Sequence, residues 1–299
     1  MKLLISHLTR HRYEIPVSFS EHSLYLRPLE SHLRQVYSCT VSTIPESRQR
    51  YVRDVDGNTV LKCNFGLTES KVLEFKTEIA VTITEDNPYD FLLEPYAVSY
   101  PFSYREPDAT ALQPYLSSQV SSDASSVMDW FYSAVKSPLT HPDSIEFLTD
   151  LNQAIRRDIS YIRRDEKGIQ TPNETLRLRT GTCRDMAVLF IATVRQNGLA
   201  ARFVSGYLFD PKVVDGKEGA GEYLYNRAVG SMHAWAEVYL PGAGWKGFDP
   251  TNGILANGFF IPSGSTHHPP SVDPIQGVYY SKIATESELE VELLIEEKL

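Results

Sequence analysis

The chain has 299 residues, a formal net charge of −9, 42% apolar residues and 22% charged ones. That length is enough for about two domains with cores of their own, and the acidic balance argues against non-specific nucleic-acid binding, which needs a basic face. No apolar run approaches the roughly 18 residues of a membrane helix. The opening MKLLISHLTRHRYEIPV lacks the long apolar stretch and cleavage site of a secretion signal, so a cytoplasmic location is the default.

Residues 1–105 read as β. In RQVYSCTVSTI, Tyr37, Cys39 and Val41 alternate with Ser38, Thr40 and Ser42, the period of a strand with one buried face. Asp56-Gly57 is a hairpin signal between RQRYVRDV and TVLKCNF, and VLEFKTEIAVTIT is a further β-rich run. These runs predict an antiparallel β-sandwich. Residues 106–125, rich in proline and serine, predict a linker. A catalytic domain would then span 126–299.

Helical patterning begins beyond the linker. SSVMDWFYSAVK, residues 125–136, predicts a helix. In DSIEFLTDLNQAIRRDI, Ile145, Leu148, Leu151, Ile155 and Ile159 fall at helical spacing. CRDMAVLFIATVRQNG is a third helix, ending at Gly198. AARFVSGYLF, HAWAEVYL and GWKGFD follow as strands, and the tail ESELEVELLIEE alternates well enough to be one more.

Cys39, Cys63 and Cys183 are an odd count without close spacing. That pattern disfavours a disulfide framework or a zinc site, although a Cys39–Cys63 bridge stays open. Cys183 follows a glycine in GTCRDMA, at the predicted start of the third helix. Helix starts offer unpaired N–H groups and positive potential, which favour a thiolate over a thiol and can steady an oxyanion. A thiolate nucleophile needs a base, and the base needs an orienting partner. His233 begins one strand, and Asp249 ends the next after the turn Pro241-Gly242-Ala243-Gly244. An antiparallel pair brings these two ends together, so Asp249 would hold one ring nitrogen and leave the other for Cys183.

The blocks GTCRDMAVLF, ARFVSGYL and HAWAEVYLPGAGWKGFDPTNG resemble, in this order, the core of the bacterial transglutaminase-like superfamily, whose members are often described as cysteine proteases. HRYEIPVSFSEHSLYLRPLES resembles the β-domain that precedes that core in many bacterial members. The resemblance implies an α+β fold: an N-terminal antiparallel β-sandwich, then a transglutaminase/papain-like core with the cysteine helix packed on an antiparallel sheet. It places the family triad on Cys183, His233 and Asp249, none of them substituted, and gives Tyr161 a role in walling the site.

Trp235, two residues beyond His233, shares its face of the strand. It is a candidate substrate wall, but the reading preferred for a tryptophan here is a core role. Arg184 and Asp185 are expected to hold the helix start by local hydrogen bonds. Residues 211–231 are long for a connection and glycine-containing, which fits either a surface insertion or a substrate-selecting flap. His267-His268 has no second ligand cluster, Asp210, Asp215 and Glu218 lack calcium-loop spacing, and Asn173-Glu174-Thr175 is a glycosylation sequon by pattern only.

The expected chemistry is thiol-dependent acyl transfer on an amide or peptide bond through a thioester. Hydrolysis of a peptide or protein substrate is favoured over transglutaminase-type cross-linking or amine transfer. No metal, cofactor, nucleic acid or membrane is called for. A non-catalytic peptide-binding module is the rival from another class.

Overall fold

The computed structural model describes residues 1–84, 87–117, 124–164, 168–209 and 232–298. Residues 211–231, read as either a surface insertion or a flap, lie outside them.

Six strands come first: β1 (Lys2–Phe19), β2 (His22–Leu24), β3 (Arg34–Ile44), β4 (Arg48–Arg53), β5 (Thr59–Asn64) and β6 (Ser70–Ile83). β1 and β3 flank β6 in one antiparallel sheet, and β2 and β4 flank β5 in another. β4 and β5 pair as the hairpin expected around Asp56-Gly57, with Gly57 at φ +82°. The long strands β1 and β6 turn one face inward along their whole length. One end of that face, with Tyr13, Val17, Phe19, Leu73 and Phe75, packs on Leu24, Leu61 and Cys63 of the smaller sheet. This gives the expected sandwich.

The β3 alternation is offset from the expected one. Val36 is buried and Tyr37 is 59% exposed. Val36 pairs with Val81 and Ser38 with Ala80, so Tyr37 is the extra residue of a bulge and turns outward. Cys39 and Val41, beyond the bulge, are half-buried. All three cysteines are free thiols, so the Cys39–Cys63 bridge is not formed.

The segment expected as a linker is packed structure where it is described. It forms two short turns, α1 (Asp108–Ala111) and α2 (Gln113–Leu116). Just before them, the Tyr104 hydroxyl donates to the Tyr239 carbonyl and accepts from the Ala200 N–H. Aromatic contacts hold it there, with the Tyr115 ring 4.9 Å from that of Trp245.

The C-terminal half contains α3 (Ala124–Ala134), α4 (Ser144–Asp158), β7 (Ser160–Tyr161), α5 (Pro172–Leu178), β8 (Thr180–Gly181) and α6 (Cys183–Gln196). Next come β9 (Ala201–Leu208), β10 (Met232–Leu240), β11 (Gly244–Asp249), β12 (Ile254–Leu255) and β13 (Phe260–Thr266). The last five form an antiparallel sheet in the order β12-β11-β10-β9-β13. α4 starts where Asp143 accepts from the Ile145 and Glu146 N–H groups. It buries Phe147, Leu148, Leu151 and Ile155 against α6 and the sheet. α6 lies on β10, whose small residues Ala234 and Ala236 admit it closely, and Phe190 stacks on Phe248 with centroids 5.5 Å apart.

The chain ends with β14 (Ile275–Gln276), β15 (Tyr279–Tyr280) and β16 (Ser287–Glu297). The tail is a strand, as its alternation predicts, but its partner lies in the other half of the chain. β16 runs antiparallel to β1 from Leu3↔Glu297 to Tyr13↔Ser287, and β14 pairs with β2. An assignment of residues 126–299 to one catalytic domain therefore does not match the pairing, because the chain returns to complete the N-terminal sheets. The remaining end of the β1–β6 inward face, with Leu3, Ile5, Ile79, Val81 and Ile83, packs on Tyr207, Phe209 and Ile261 of the C-terminal half. One apolar seam joins the two.

Candidate active site

Cys183 is the first residue of α6, half-buried against the main core. Its position is set by a reciprocal cap. The Thr182 side chain accepts from the Asp185 N–H, and the Asp185 carboxylate accepts from the Thr182 N–H at 2.8 Å and from its hydroxyl at 2.9 Å. Asp185 is fully buried, and it also accepts from the Gln170 N–H at 2.7 Å and from Arg164, whose Nη2 reaches both carboxylate oxygens at 3.0 and 3.1 Å. The glycine of GTC serves this packing, since a Cβ on Gly181 would meet the Asp185 Cβ at 3.1 Å. Asp185 thus holds the helix start as expected. Arg184 does not share in this. It reaches Asp273 at 3.3 Å, far along the chain.

His233 and Asp249 meet as the strand register requires. The ladder between β10 and β11 runs from Leu240↔Gly244 to Ala236↔Phe248. Asp249 extends one residue further, towards the His233 end of β10. His233 Nε2–H donates to Asp249 Oδ2 at 2.9 Å, and both side chains are fully buried. The Asp249 carboxylate also accepts from Asn252 Nδ2 at 2.7 Å and from the Thr251 N–H at 2.9 Å.

Burial works against both charges, and the partners outweigh it. Desolvation pushes the His233 pKa down, but the charge and hydrogen bond of Asp249, together with Cys183, raise it to about 10. Desolvation pushes the Asp249 pKa up, but the His233 charge and the three hydrogen bonds hold it below the ordinary value. The second ring nitrogen, Nδ1, is buried without a hydrogen bond of regular geometry, and Cys183 is among the groups that act on this ring. The imidazole is thus oriented by a carboxylate through one nitrogen, and the cysteine is the neighbour left for the other.

Trp235 is not a substrate wall. It is 1% exposed, and its ring lies 6.2 Å from that of His233 at an interplanar angle of 25°. Phe260 meets it edge-on at 5.3 Å. Gly247 lies beside the indole, and a Cβ there would run into the Ala256 Cβ at 2.5 Å while meeting the indole only at an ordinary 3.4 Å. Trp235 therefore backs the histidine. Tyr161 does lie beside the cysteine: it is half-buried against the same cluster, and burial, then the charge of Cys183, lift its pKa to about 12.

Arg164 and Asn252 escaped the reading of the sequence. Their signals, YIRRD ahead of the cysteine helix and DPTNG after β11, look like ordinary surface charge and turn chemistry until the buried carboxylates they hold are seen.

Comparison with known proteins agrees with this architecture. Residues 133–250 match the transglutaminase-like superfamily, and residues 3–82 match the bacterial transglutaminase-like N-terminal region. The uncharacterized protein Rv2569c of Mycobacterium tuberculosis is 31% identical over 290 residues, spanning 93% of this chain and 87% of its own length. Mb2599c of Mycobacterium bovis gives the same figures. The crystal structure of a proposed cysteine protease from Cytophaga hutchinsonii has a TM-score of 0.71 at 16% identity, covering 100% of this chain and 91% of that one, a likeness of fold. With the fold, both matched regions and a full-length relative in agreement, the chain belongs to the transglutaminase-like superfamily, in the form that carries the bacterial N-terminal region.

Proposed function

We propose that this member of a thiol-dependent enzyme superfamily is an amide or peptide hydrolase acting through Cys183, His233 and Asp249. The observation that carries the reading is the fully buried His233–Asp249 pair at 2.9 Å, with its free ring nitrogen beside a cysteine at a helix start. Such a pair costs desolvation energy that a packing role does not call for, and it orients an imidazole for proton transfer.

In the proposed cycle the Cys183 proton passes to His233, and Sγ attacks the carbonyl carbon. The tetrahedral oxyanion collapses as the C–N bond breaks, and His233 gives its proton to the departing amine. The thioester is then attacked by water, whose proton goes to His233. A carboxylate leaves and the thiol is restored. Asp249 keeps the ring in place throughout and stays ionised. Hydrolysis rather than amine transfer is the reading for the second half, on the resemblance to peptidase-like bacterial members. A cytoplasmic location belongs to the same proposal, supported by three free thiols.

The test is alkylation of Cys183 near neutral pH, read by mass spectrometry. The wild type is expected to react at least about 10-fold faster than His233→Ala, because only the wild type has a base or imidazolium beside the sulfur. Equal rates would sink the nucleophile reading. For the second half, a peptide substrate offered with a primary amine should yield mainly free acid, and predominant amide product would reverse the preference for hydrolysis.

A further inference from the structure

The sheet order leaves two long strand edges open. β16 pairs with β1 on one side only, and β4 pairs with β5 and ends its own sheet. Among the described residues no backbone hydrogen bond reaches the free side of either strand. Such an edge is a ready template for another strand. The two edges are opposite in charge. β16, SELEVELLIEE, carries Glu288, Glu290 and Glu292 at every second position, and β4, RQRYVR, carries Arg48 and Arg50 in the same way. Between the glutamates stand Leu289, 60% exposed, and Val291, 40% exposed, and next to Arg50 stands Tyr51, 49% exposed. Glu290 is held by Arg10 at 2.8 Å and Arg50 by Glu21 at 3.0 Å. Glu292 and Arg48 have no ion pair among the described residues.

The backbone decides which residues can meet. In an antiparallel ladder, alternate residues turn their N–H and C=O groups to one neighbour and the others turn theirs away. Lys298 N–H donates to the Lys2 carbonyl at 2.8 Å, so even-numbered residues of β16 face β1 while Leu289 and Val291 present their backbone groups to the free side. Asp54 N–H donates to the Asn58 carbonyl at 3.2 Å, so even-numbered residues of β4 face β5 while Gln49 and Tyr51 present theirs. An antiparallel pairing of the two edges therefore sets odd residues opposite odd ones. With Tyr51 opposite Leu289, Gln49 falls opposite Val291, Arg50 opposite Glu290 and Arg48 opposite Glu292. Backbone bonding, apolar contact and charge agree in one register. Like edges do not match in this way. Two copies of β16 centred on Val291 would set Glu290 opposite Glu292, and two copies of β4 centred on Gln49 would set Arg48 opposite Arg50, which is destabilising. We propose that β4 of one copy of this chain adds to β16 of a second copy, so that the larger N-terminal sheet of one continues into the smaller sheet of the other. The contact is head-to-tail, and repetition gives short chains or a closed ring. A six-residue pairing is small beside the roughly 1,200 Å² of a stable interface, so the association is weak and concentration-dependent.

Sedimentation of the purified chain from about 10 µM to about 1 mM, the span of weak affinities, tests this. The mass of the wild type is expected to rise above that of the monomer across this range. Glu292→Arg and Arg48→Glu each set like charges opposite one another, and each alone should stay monomeric, with a thermal melt matching the wild type to show an intact fold. An equimolar mixture of the two variants should associate again, because each substituted edge then meets its complement on the other protein. Where either variant melts early, Glu292→Gln and Arg48→Gln take its place and should weaken association about two- to five-fold. A wild type that is monomeric at 1 mM overturns the proposal and leaves these edges to a different partner or to water. Association that neither substitution weakens overturns it as well, and so does loss in both variants without recovery in the mixture. Loss in each and recovery together is the result that supports it.

Discussion

The Asp249 carboxylate takes hydrogen bonds from a histidine, an asparagine and a backbone N–H while fully buried. Its depressed pKa gives it a definite pH signature. A carboxylate whose folded-state pKa lies below its unfolded value adds stability above the unfolded value, and that contribution is lost as pH falls through the folded value. Asn252→Ala removes the shortest of the three bonds, so the folded pKa should rise and the acid loss of stability should begin at higher pH. The bond to a charged acceptor is worth about 1.5–3 kcal/mol, and urea melts of the two proteins from neutral pH down through the ordinary carboxylate range, to about pH 3, would show it. An unchanged acid limb would mean that Asn252 only completes the turn. The proximity of Cys183, His233 and Asp249 was legible from the sequence for a simple reason. A tight turn between two strands fixes which strand end meets which, and a glycine followed by a cysteine at a helix start is a local pattern. Asn252 was not legible, because its partner is chosen by burial and an asparagine before Gly253 already has a turn to explain it.

At the scale of elements, the three long helices were readable, while the short helices, α5 among them, and the strand offset were not. The apolar positions of α4 recur on one face, and all but Ile145 of those expected are buried, Ile145 being packed at the edge of the same core. The β3 alternation fails at Tyr37, because a one-residue bulge leaves no mark in a run of alternating residues. The join between β7, β8 and α6 was likewise invisible, since it depends on a parallel pairing two residues long and on a buried ion pair. That ion pair gives a further prediction. Arg164→Met strips the cation from the fully buried Asp185 and is expected to destabilise the fold by about 3 kcal/mol. Arg164→Lys should recover only part of this, because an ammonium is more strongly hydrated than a guanidinium and loses more on leaving water beside the buried carboxylate. Chemical denaturation of the three proteins checks it, and a methionine variant as stable as the wild type would show that the helix cap alone holds Asp185.

For the whole molecule, the two halves are interlocked in a way that reading along the chain does not reveal. Local patterns place each strand but not its partner when the partner lies nearly the full chain away, as it does for β1 and β16. The hairpin turn at Asp56-Gly57 is also more than a turn. The buried Asn58 beside it exchanges two hydrogen bonds of 2.8 Å with the Ser265 backbone of β13. At the centre of the seam sits His7 of β1, 3% exposed, with its ring edge-on to that of Tyr207 at 6.0 Å and a hydrogen bond shared with Thr9. Burial lowers its pKa from 6.5 to about 4. The unfolded chain therefore binds a proton at this site between those two values while the folded chain does not. Stability must then rise with pH across that window and fall as the solution is acidified. The full effect of a shift this size is about 3 kcal/mol, the same order as the loss from breaking the Arg164–Asp185 pair. His7→Leu removes the titrating group while keeping an apolar side chain in the seam. The variant's stability should change less than the wild type's between pH 6.5 and pH 4, whatever its absolute value at neutral pH. Equal slopes in the two proteins would show that His7 takes up its proton without opening the seam. A steeper wild-type slope would show that burial of His7 at the contact between β1 and β9 makes the whole fold acid-sensitive.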